Sequence, residues 1–514
     1  MTATAADPST VCDHARVHRR GGRNWRVAAL ATLALLSSVA ALAPATAIAD
    51  PPILSVQVGA NPIGRAMPPG FLGLSFEYKA THVYTGRNPD AVNPVLVALL
   101  RGLNPGQPTN IRIGGNSSDQ TWWPIRGMVP PGGINYKLTK GWLRTTKTLI
   151  TALHGNLILG VNLAANRPAI AAAEARALLA GIGRQNLQAI EIGNEPDLYN
   201  TFAWYRDRRG RVVFSRPISY NLISLIGEFA RWRAAMPRAP IAGPAFSMLS
   251  WLGGFLSAEP RLAVATFHRY PLRACLHDPT SPLFASIPNL LADPASAGLA
   301  APLAPYVQQA HAEHIPFRLD ELNSASCSGK RGVSDSFASA LWGLDTLFSM
   351  AAVGVDGVNF HTLPGAAYEP FTFTHHGSSW HATVHPLYYG ALVFSRAFPP
   401  GAHLLPVTAP TGAVKVWATQ APDGKLRVVI INKSPDTPAL VQLQLPGTAG
   451  GAALQSLTAP SLSATGGVSF AGQTFGSSTT TGVLPGTPGA TPIDPVAGTY
   501  NVDVPAASAI VLTR

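Results

Sequence analysis

Short apolar segments alternate with longer amphipathic stretches over much of the chain. The apolar segments cover residues 71–78, 109–115, 156–164, 187–194, 239–246, 262–270, 316–323 and 355–362. Most are continuous apolar runs, which is typical of parallel strands that helices cover. Helical periodicity is clear over 140–154, 167–182, 218–236 and 334–353, and the last stretch begins with Ser334 and Asp335, a predicted N-cap.

Eight strand–helix units predict the α/β class, as a (β/α)8 TIM barrel with long insertions over residues 69–398. A doubly wound open sheet fits less well, because no glycine-rich phosphate turn follows the first strand. After about residue 400 the helical period disappears and β-rich runs alternate with turn residues, which predicts a C-terminal antiparallel β-sandwich domain over 399–514. We expect residues 50–68, with the apolar run "PILSVQVG", to add a strand to that sandwich.

The first 49 residues have the order of a secretory signal peptide. A basic region with five arginines precedes the apolar run 27–44 and the small-residue site that ends at Ala49. We expect cleavage after Ala49, with an uncleaved membrane anchor as the alternative because the run is near spanning length. Cleavage removes the five arginines and two aspartates, which lowers the formal charge from +12 to +9. A basic secreted protein suits acidic polysaccharides, although a solvated basic surface is the simpler reading.

Two of the predicted strands end in carboxylates. The fourth reads "IEIGNEPD" and supplies Glu195, and the seventh reads "RLDELNS" and supplies Glu321. Active sites of such barrels lie where the strands end, so both are expected at one mouth. A retaining glycosidase needs two carboxyl groups ~5–5.5 Å apart, one protonated and one ionised. Either glutamate alone has a structural alternative, a loop cap for Glu195 and an ion pair with Arg318 for Glu321, but together they predict catalysis.

These segments also resemble a known family. "IEIGNEPD" and "RLDELNSA…GVSDSFASALWGLD" are similar to glycoside hydrolase family 79, which includes heparanase and bacterial β-glucuronidases, and the resemblance extends over "FLGLSFEY", "IRIGGNSSD", "HRYP", "VNFHT" and the β-domain. It implies that Glu195 is the general acid/base and Glu321 the nucleophile. It also implies that Asn194 binds the sugar 2-hydroxyl.

Other polar side chains at the predicted strand ends are candidates for substrate binding. Glu77 and Asp119, which end strands one and two, are expected to accept hydrogen bonds from sugar hydroxyls. His361 ends strand eight and is similarly placed. Tyr270, at the end of strand six, is expected either to donate to Glu321 or to be an ordinary wall aromatic.

The chain departs from the family pattern where glucuronate-specific members bind the sugar carboxylate. Ser326 stands where such members carry a tyrosine, whereas Tyr368 matches their second carboxylate-binding tyrosine and Gly329 lies among the expected backbone donors. Ser326 is shorter and could bind the substrate through water, and either Lys330 or Arg331 could supply a stronger charge-based contact. The family resemblance implies a uronic acid in the −1 subsite, but the missing tyrosine leaves a neutral sugar open.

Of the three cysteines, Cys12 belongs to the predicted signal peptide. Cys275 follows strand six and Cys327 follows strand seven, so both are expected in neighbouring loops at the catalytic face. We predict a Cys275–Cys327 disulfide that braces the altered pocket, with two unrelated buried thiols as the alternative.

These observations predict a secreted, extracellular retaining exo-β-glycosidase of the β-glucuronidase type, which uses no metal or organic cofactor. Its expected partner is a β-linked glycoside, oligosaccharide or polysaccharide, with no nucleic acid and no stable membrane insertion after cleavage. An endo-acting hydrolase of an acidic polysaccharide and a β-glycosidase for a neutral sugar are alternative enzymes. A non-catalytic carbohydrate-binding protein is the alternative from another class.

Overall fold

The computed structural model describes residues 52–377, 379–408, 412–447 and 450–514. The predicted signal peptide and its cleavage site after Ala49 lie outside these residues. Among the helices that are described, none has the length and apolar character needed to cross a membrane.

Eight parallel strands close into a barrel, which confirms the predicted fold class. They are β1 (Leu72–Glu77), β2 (Asn110–Gly114), β3 (Asn156–Val161), β4 (Leu187–Ile192), β5 (Ile241–Phe246), β6 (Val264–Arg269), β7 (Phe317–Leu322) and β8 (Gly357–Thr362). Each strand pairs with its neighbour in the chain, and β8 pairs with β1 to close the ring. All eight predicted segments therefore form strands, each shorter than its apolar run because the run continues into the loop.

One long helix follows each strand. The helices are α1 (Pro94–Leu103), α2 (Lys140–Ala152), α3 (Pro168–Ile182), α4 (Leu222–Ala235), α5 (Leu249–Ala258), α6 (Ala304–Ala312), α7 (Phe337–Ala352) and α8 (Pro386–Ala397). The predicted N-cap of α7 is wrong by two residues, because Ser336 rather than Ser334 precedes the first helical turn. The Ser334 hydroxyl instead accepts a hydrogen bond from the Lys330 amide, within the loop.

Short elements decorate the ends of the barrel. Five-residue and four-residue helices cover Thr81–Thr85, Ile287–Leu291 and Ala297–Ala300. Strand pairs form between Thr121–Trp122 and Tyr136–Lys137, Ala203–Arg206 and Val212–Phe214, Leu272–Arg273 and Ala325–Ser326, and Phe371–His376 and Ser379–Val384. We call the antiparallel pair Ala203–Arg206 and Val212–Phe214, which follows β4, the β4 hairpin.

The C-terminal residues form two sheets that pack face to face. One contains Val407–Thr408, the N-terminal strand Ile53–Val58, Ala439–Gln444 and Thr499–Val504. The other contains His403–Leu405, Val414–Gln420, Leu426–Asn432, Ser508–Thr513, Ala452–Thr458 and Ser469–Phe470, with Thr491–Ile493 beside Ala452–Thr458. Alternate residues of both sheets, such as Val441 and Val428, share one apolar core. The sandwich is antiparallel except where Ile53–Val58 runs parallel to Ala439–Gln444.

Candidate active site

Glu195 and Glu321 lie together at the mouth of the barrel. Glu321 is the fifth residue of β7, and Glu195 follows the end of β4 by three residues. Carboxylate oxygens of the two residues lie within 4.8 Å of one another, with the His268 ring beside both. The structure therefore brings the two predicted catalytic carboxyls to the short separation that direct attack on a sugar requires.

An irregularity in β7 lets two consecutive acidic residues face the barrel interior. Neighbours along a regular strand point to opposite faces. The pairing of β7 with β8 shifts register between Leu319 and Leu322, which breaks that alternation. As a result, Asp320 and Glu321 both reach the same guanidinium, that of Arg112, at 3.4 and 2.7 Å.

Glu321 is held as an anion by the groups around it. Its Oε1 accepts a hydrogen bond from the Tyr270 hydroxyl at 2.8 Å, which is the first of the two alternatives for Tyr270, and its Oε2 accepts from Arg112 Nη1 at 2.7 Å. Burial alone would raise the pKa of Glu321, but His361, His268, Arg112 and the Tyr270 hydrogen bond together hold it well below its usual range. An ionised carboxylate in this position suits a nucleophile.

Glu195 is the more open of the two carboxyls, with 22% of its side chain exposed against 10% for Glu321. Its Oε1 lies 3.1 Å from Nδ1 of His268, which projects from β6. Burial alone would lower the pKa of His268, but Glu321, the Glu195 hydrogen bond and Asp320 raise it to about 9. The backbone of Glu195 is left-handed, with φ 47°, and its N–H donates to the Ala245 carbonyl at the end of β5.

Arg112 is the centre of the charge network. It lies in the middle of β2 and is fully buried. Besides Glu321, the guanidinium binds Glu191 of β4, with Nη2 2.9 Å from Oε2, and it donates to the Asn194 side-chain oxygen at 2.9 Å. The buried guanidinium is therefore paired, whereas burial and the charge of Glu191 raise the pKa of Asp320 well above its usual range.

Arg112 and His268 were not among the residues predicted for the site, although the sequence carries a signal for both. Each is a polar residue inside an apolar strand, in "NIRIG" and "VATFHR". Because such side chains are almost never buried without partners, each pattern indicates an interior polar network.

Asn194 directly precedes Glu195 at the barrel mouth, and it is buried. Its side-chain oxygen accepts from Arg112, and its Nδ2 donates to the Asn116 side chain at 3.2 Å. These contacts fix the amide orientation at the pocket wall. Its role in binding the 2-hydroxyl stays a prediction.

Two predicted sugar ligands have loop-anchoring contacts instead. Asp119 does not end β2 but lies in a single 3₁₀ turn, Ser118–Gln120, and is 5% exposed. Its Oδ1 accepts from the amides of Leu163 and Ala164, and its Oδ2 accepts from the Asn194 amide and the Tyr199 hydroxyl. With both oxygens engaged, Asp119 positions the loop that carries Asn194 and Glu195 rather than offering a free acceptor to substrate.

Glu77 ends β1 as predicted, and its oxygens accept from the Asn116 and Ser117 amides at 3.1 and 2.7 Å. Gly115 contacts this carboxylate so closely that a side chain there would collide with it. Glu77 therefore anchors the loop after β2. Its Oε1 also lies 4.0 Å from Nε2 of His361, the second predicted ligand at this side of the mouth.

His361 and Tyr368 complete the nucleophile side of the mouth. His361 Nδ1 lies 3.7 Å from Glu321 Oε2, and the Tyr368 ring centre lies 6.4 Å from that of Tyr270. Gly329 packs directly against the Tyr368 ring, which leaves no room for a side chain at that position. The two residues predicted for a carboxylate pocket are thus in contact.

Ser326 and the two nearby cations differ from the prediction. The Ser326 hydroxyl lies 3.5 Å from the Leu272 carbonyl, in a short strand pair rather than towards Tyr368. The Lys330 ammonium lies over the Phe284 ring at 3.9 Å. Arg331 contacts the Gly365 carbonyl and Asp335. Neither cation takes the place of the absent tyrosine, because both are directed to other partners.

Cys275 and Cys327 form the predicted disulfide, with Cα atoms 5.8 Å apart. It joins the loops after β6 and β7. Cys327, Ser328 and Gly329 all have positive φ, from 59° to 73°. The disulfide therefore tethers an unusual left-handed turn immediately beside Tyr368.

Residues 416–511 match the model of the glycosyl hydrolase family 79 C-terminal beta domain. The predicted resemblance to glycoside hydrolase family 79 is confirmed. The match supports the assignment of the chain as a glycoside hydrolase, in agreement with two carboxyls at the barrel mouth. No curated protein sequence matches the chain.

Solved structures share the fold over 90% of the chain. A 4-O-α-L-rhamnosyl-β-D-glucuronidase from Fusarium oxysporum is 20% identical, with TM-score 0.70, and covers 90% of this chain and 100% of its own. A family 51 arabinofuranosidase from Xanthomonas axonopodis pv. citri is 18% identical, with TM-score 0.60, over 90% of this chain and 99% of its own. An α-L-arabinofuranosidase from Thermotoga maritima gives 14% identity and TM-score 0.61, with 90% and 99% coverage. At these identities the likeness shows a barrel joined to a β-domain.

Proposed function

We propose that this chain is a secreted, retaining exo-β-glycosidase in which Glu321 is the nucleophile and Glu195 the general acid/base. The observation that supports this most strongly is the approach of their oxygens to within 4.8 Å. An inverting enzyme leaves ~6.5–9.5 Å between its carboxyls, so that a water fits between them. The different environments of the two groups give each a separate duty.

In the first step, an oxygen of Glu321 attacks the anomeric carbon while the bond from that carbon to the glycosidic oxygen breaks. Protonated Glu195 gives its proton to that oxygen, so the aglycone leaves as a neutral alcohol. Tyr270 and Arg112 hold Glu321 in one orientation through its two oxygens. This arrangement reduces the reorganisation that attack would otherwise require.

In the second step, the Glu195 carboxylate takes a proton from water, and the water oxygen attacks the anomeric carbon. The ester bond to Glu321 breaks, which regenerates its carboxylate and releases the sugar with its original configuration. His268, whose Nδ1 lies 3.1 Å from Glu195 Oε1, positions this carboxyl for both proton transfers.

A β-glucuronide is the proposed substrate class. Tyr368 and the left-handed turn at Gly329 lie beside the nucleophile. Within the described part of the chain, the amides of Ser328 and Gly329 donate to no protein acceptor. Two adjacent N–H groups without a protein acceptor, beside the ring of a tyrosine, suit a carboxylate. The likeness in fold to a β-D-glucuronidase agrees with this proposal.

A neutral β-linked sugar is a second candidate, and Ser326 is the observation that favours it. The hydroxyl that a tyrosine would bring to the pocket is absent there, and no cation replaces it. A sugar with a hydroxymethyl group needs fewer donors than a carboxylate does. The two candidates therefore differ in the charge of one substituent.

A hydrolysis screen tests the proposal with aryl β-glucuronide, β-glucoside, β-galactoside and β-xyloside. We expect the glucuronide to react fastest, with retention of anomeric configuration in the first product seen by NMR. Glu321→Ala should abolish turnover, whereas Glu313→Ala, which removes an exposed glutamate next to α6, should not change it. Faster turnover of a neutral glycoside would replace the glucuronidase assignment, and binding without turnover would favour the carbohydrate-binding alternative.

Secretion is part of the same proposal. Expression in a secreting host, followed by N-terminal sequencing, should give a mature chain that begins at Asp50. A protein that stays in the membrane fraction would instead support the anchor alternative.

A further inference from the structure

A cavity of about 140 Å³ opens beside Glu195, between the loops after β2, β3 and β4. A site that holds one water needs only ~10–15 Å³ measured in the same way, so this space is large enough for an organic group. Asn194 and Glu195 form part of its lining, whereas Glu321, Tyr270 and Tyr368 do not. The cavity is thus on the proton-donor side of the mouth.

The proton donor of a glycosidase faces the oxygen of the departing group. Given the proposed role of Glu195, the cavity is where the aglycone would lie. This step rests on the proposed function. The chemistry of the cavity wall then indicates which aglycones fit.

Aromatic and aliphatic side chains form about half of that wall, and the rest is polar. Phe202, Trp204, Tyr199 and Leu198 line the cavity, and Phe202 remains 65% exposed. A single exposed apolar side chain is common on protein surfaces. An exposed apolar side chain that lines a cavity beside a catalytic carboxyl, however, indicates an apolar ligand. Phe214, paired across the β4 hairpin with Ala203, is also exposed and extends this apolar rim.

Trp204 is held rigidly in its position. Its indole N–H donates to the Asp119 carbonyl at 2.9 Å, and Gly133 packs against the ring so closely that a side chain there would collide with it. Because the N–H is already engaged, Trp204 offers the cavity ring carbons rather than a donor. A preorganised ring binds a flat ligand with little loss of conformational entropy.

The charges in the lining disfavour an anionic aglycone. Among the described residues that line the cavity, the ionisable carboxyls are Asp119 and Glu195, and none is Lys, Arg or His. An acidic sugar bound here would therefore find no cation among these residues to pair with its carboxylate. The arginines of the β4 hairpin turn, Arg208 and Arg209, are not among the lining residues.

We propose that this cavity is an aglycone subsite for uncharged aromatic alcohols, with Phe202 and Trp204 as the contacting rings. The preferred substrates are then β-glycosides of phenols, and an internal bond of an acidic polysaccharide is a poor one. The subsite acts on the group that leaves with the Glu195 proton, independently of the sugar bound on the Glu321 side.

Phe202→Ala tests the subsite with two substrates whose leaving alcohols are similar in acidity, a phenyl and a hexafluoroisopropyl glycoside of the same sugar. Loss of an aromatic contact predicts a fall in kcat/KM of about threefold to tenfold for the phenyl glycoside. The hexafluoroisopropyl glycoside should change by less than about twofold. Phe202→Tyr should restore the ratio, and Ile223→Ala, which removes an exposed apolar group outside the lining, should leave both values unchanged.

The possible outcomes distinguish a failure of the subsite proposal from a failure of the proposed function. An enzyme that cleaves glycosides but loses equal activity on both substrates in Phe202→Ala overturns the aromatic subsite alone. Preference of the wild-type enzyme for a uronic acid as the leaving group over phenol does the same. A chain that cleaves no glycoside overturns the proposed function together with the subsite.

Discussion

His268 gives the most direct test of the charge network, because it contacts both glutamates and its ionisation falls in an accessible pH range. It is enclosed by Glu321, Glu195 and Asp320, which outweigh both its burial and the nearby Arg112 and raise its pKa to about 9. Replacement by Gln in His268→Gln keeps a polar side chain of similar size but removes the titration. The change therefore isolates the contribution of one proton.

The size of the effect follows from the difference between the two states. In the unfolded chain the histidine pKa is ~6.5, and a difference from about 9 corresponds to about 3 kcal/mol. Because the folded-state pKa is the higher one, the folded chain binds the proton more tightly. The stabilisation is fully present below about pH 6.5 and is lost as the pH rises through about 9.

Urea denaturation at several pH values between 5 and 10 measures this contribution. The free energy of unfolding of the wild type, minus that of His268→Gln, should fall by about 3 kcal/mol from pH 6 to pH 10. The matched control His277→Gln replaces an exposed histidine and should give a difference that does not vary with pH. A flat difference for His268→Gln would refute the reasoning, since it would mean that the ring is neutral and accepts a hydrogen bond from Arg112, whose Nη2 lies 3.3 Å from Nε2.

Three further predictions concern neighbouring groups. Tyr270→Phe removes a charge-assisted hydrogen bond worth ~1.5–3 kcal/mol, so kcat/KM at neutral pH should fall about tenfold to a hundredfold, and an unchanged value would contradict the role of the hydroxyl. The double variant Cys275→Ser/Cys327→Ser removes a disulfide that closes a loop of 52 residues, and it should lower the free energy of unfolding by about 2–4 kcal/mol. Reductant should lower the melting temperature of the wild type but leave that of the double variant unchanged. Burial and the charge of Glu195 raise the pKa of Asp197 to about 7. In urea denaturation, the free energy of unfolding of the wild type relative to Asp197→Asn should therefore fall by about 4 kcal/mol as the pH rises from 4 to 8. A difference that stays constant with pH would contradict this prediction.

Most of the fold could be predicted from the sequence because its signals are local. A parallel strand covered by helices is an apolar run, and all eight runs form barrel strands. The residues at which the strands begin and end were less predictable. Apolar residues continue into buried loops at the barrel mouth, so the runs at 156–164 and 262–270 extend beyond the strands they contain. The parallel pairing of Ile53–Val58 with Ala439–Gln444 depends on a contact between distant segments, which the pattern of neither one encodes.

The two glutamates could be proposed from the sequence because both lie at strand ends of a predicted barrel and because their segments resemble a known family. Residues that contact these glutamates from inside the barrel cannot be identified from their position along a strand. Arg112 lies between Ile111 and Ile113, and only the closed ring brings it against Glu191, Asp320 and Glu321 at once. The strand ends locate the two proposed reacting groups, whereas residues in the interior of the barrel surround them with charge.

The same distinction explains why the carboxylate pocket was the least predictable part of the site. In the sequence, Lys330 and Arg331 follow the missing tyrosine closely enough to replace it. Three successive residues with positive φ, from Cys327 to Gly329, turn the chain before it reaches them, and both side chains then point to other partners. Backbone direction in such a turn depends on the Cys275 tether and on the close packing of Gly329 against Tyr368. If a uronic acid binds here, its recognition must therefore rely on backbone amides and a tyrosine hydroxyl, so the geometry of the turn, more than the charge of any side chain, determines which sugar is accepted.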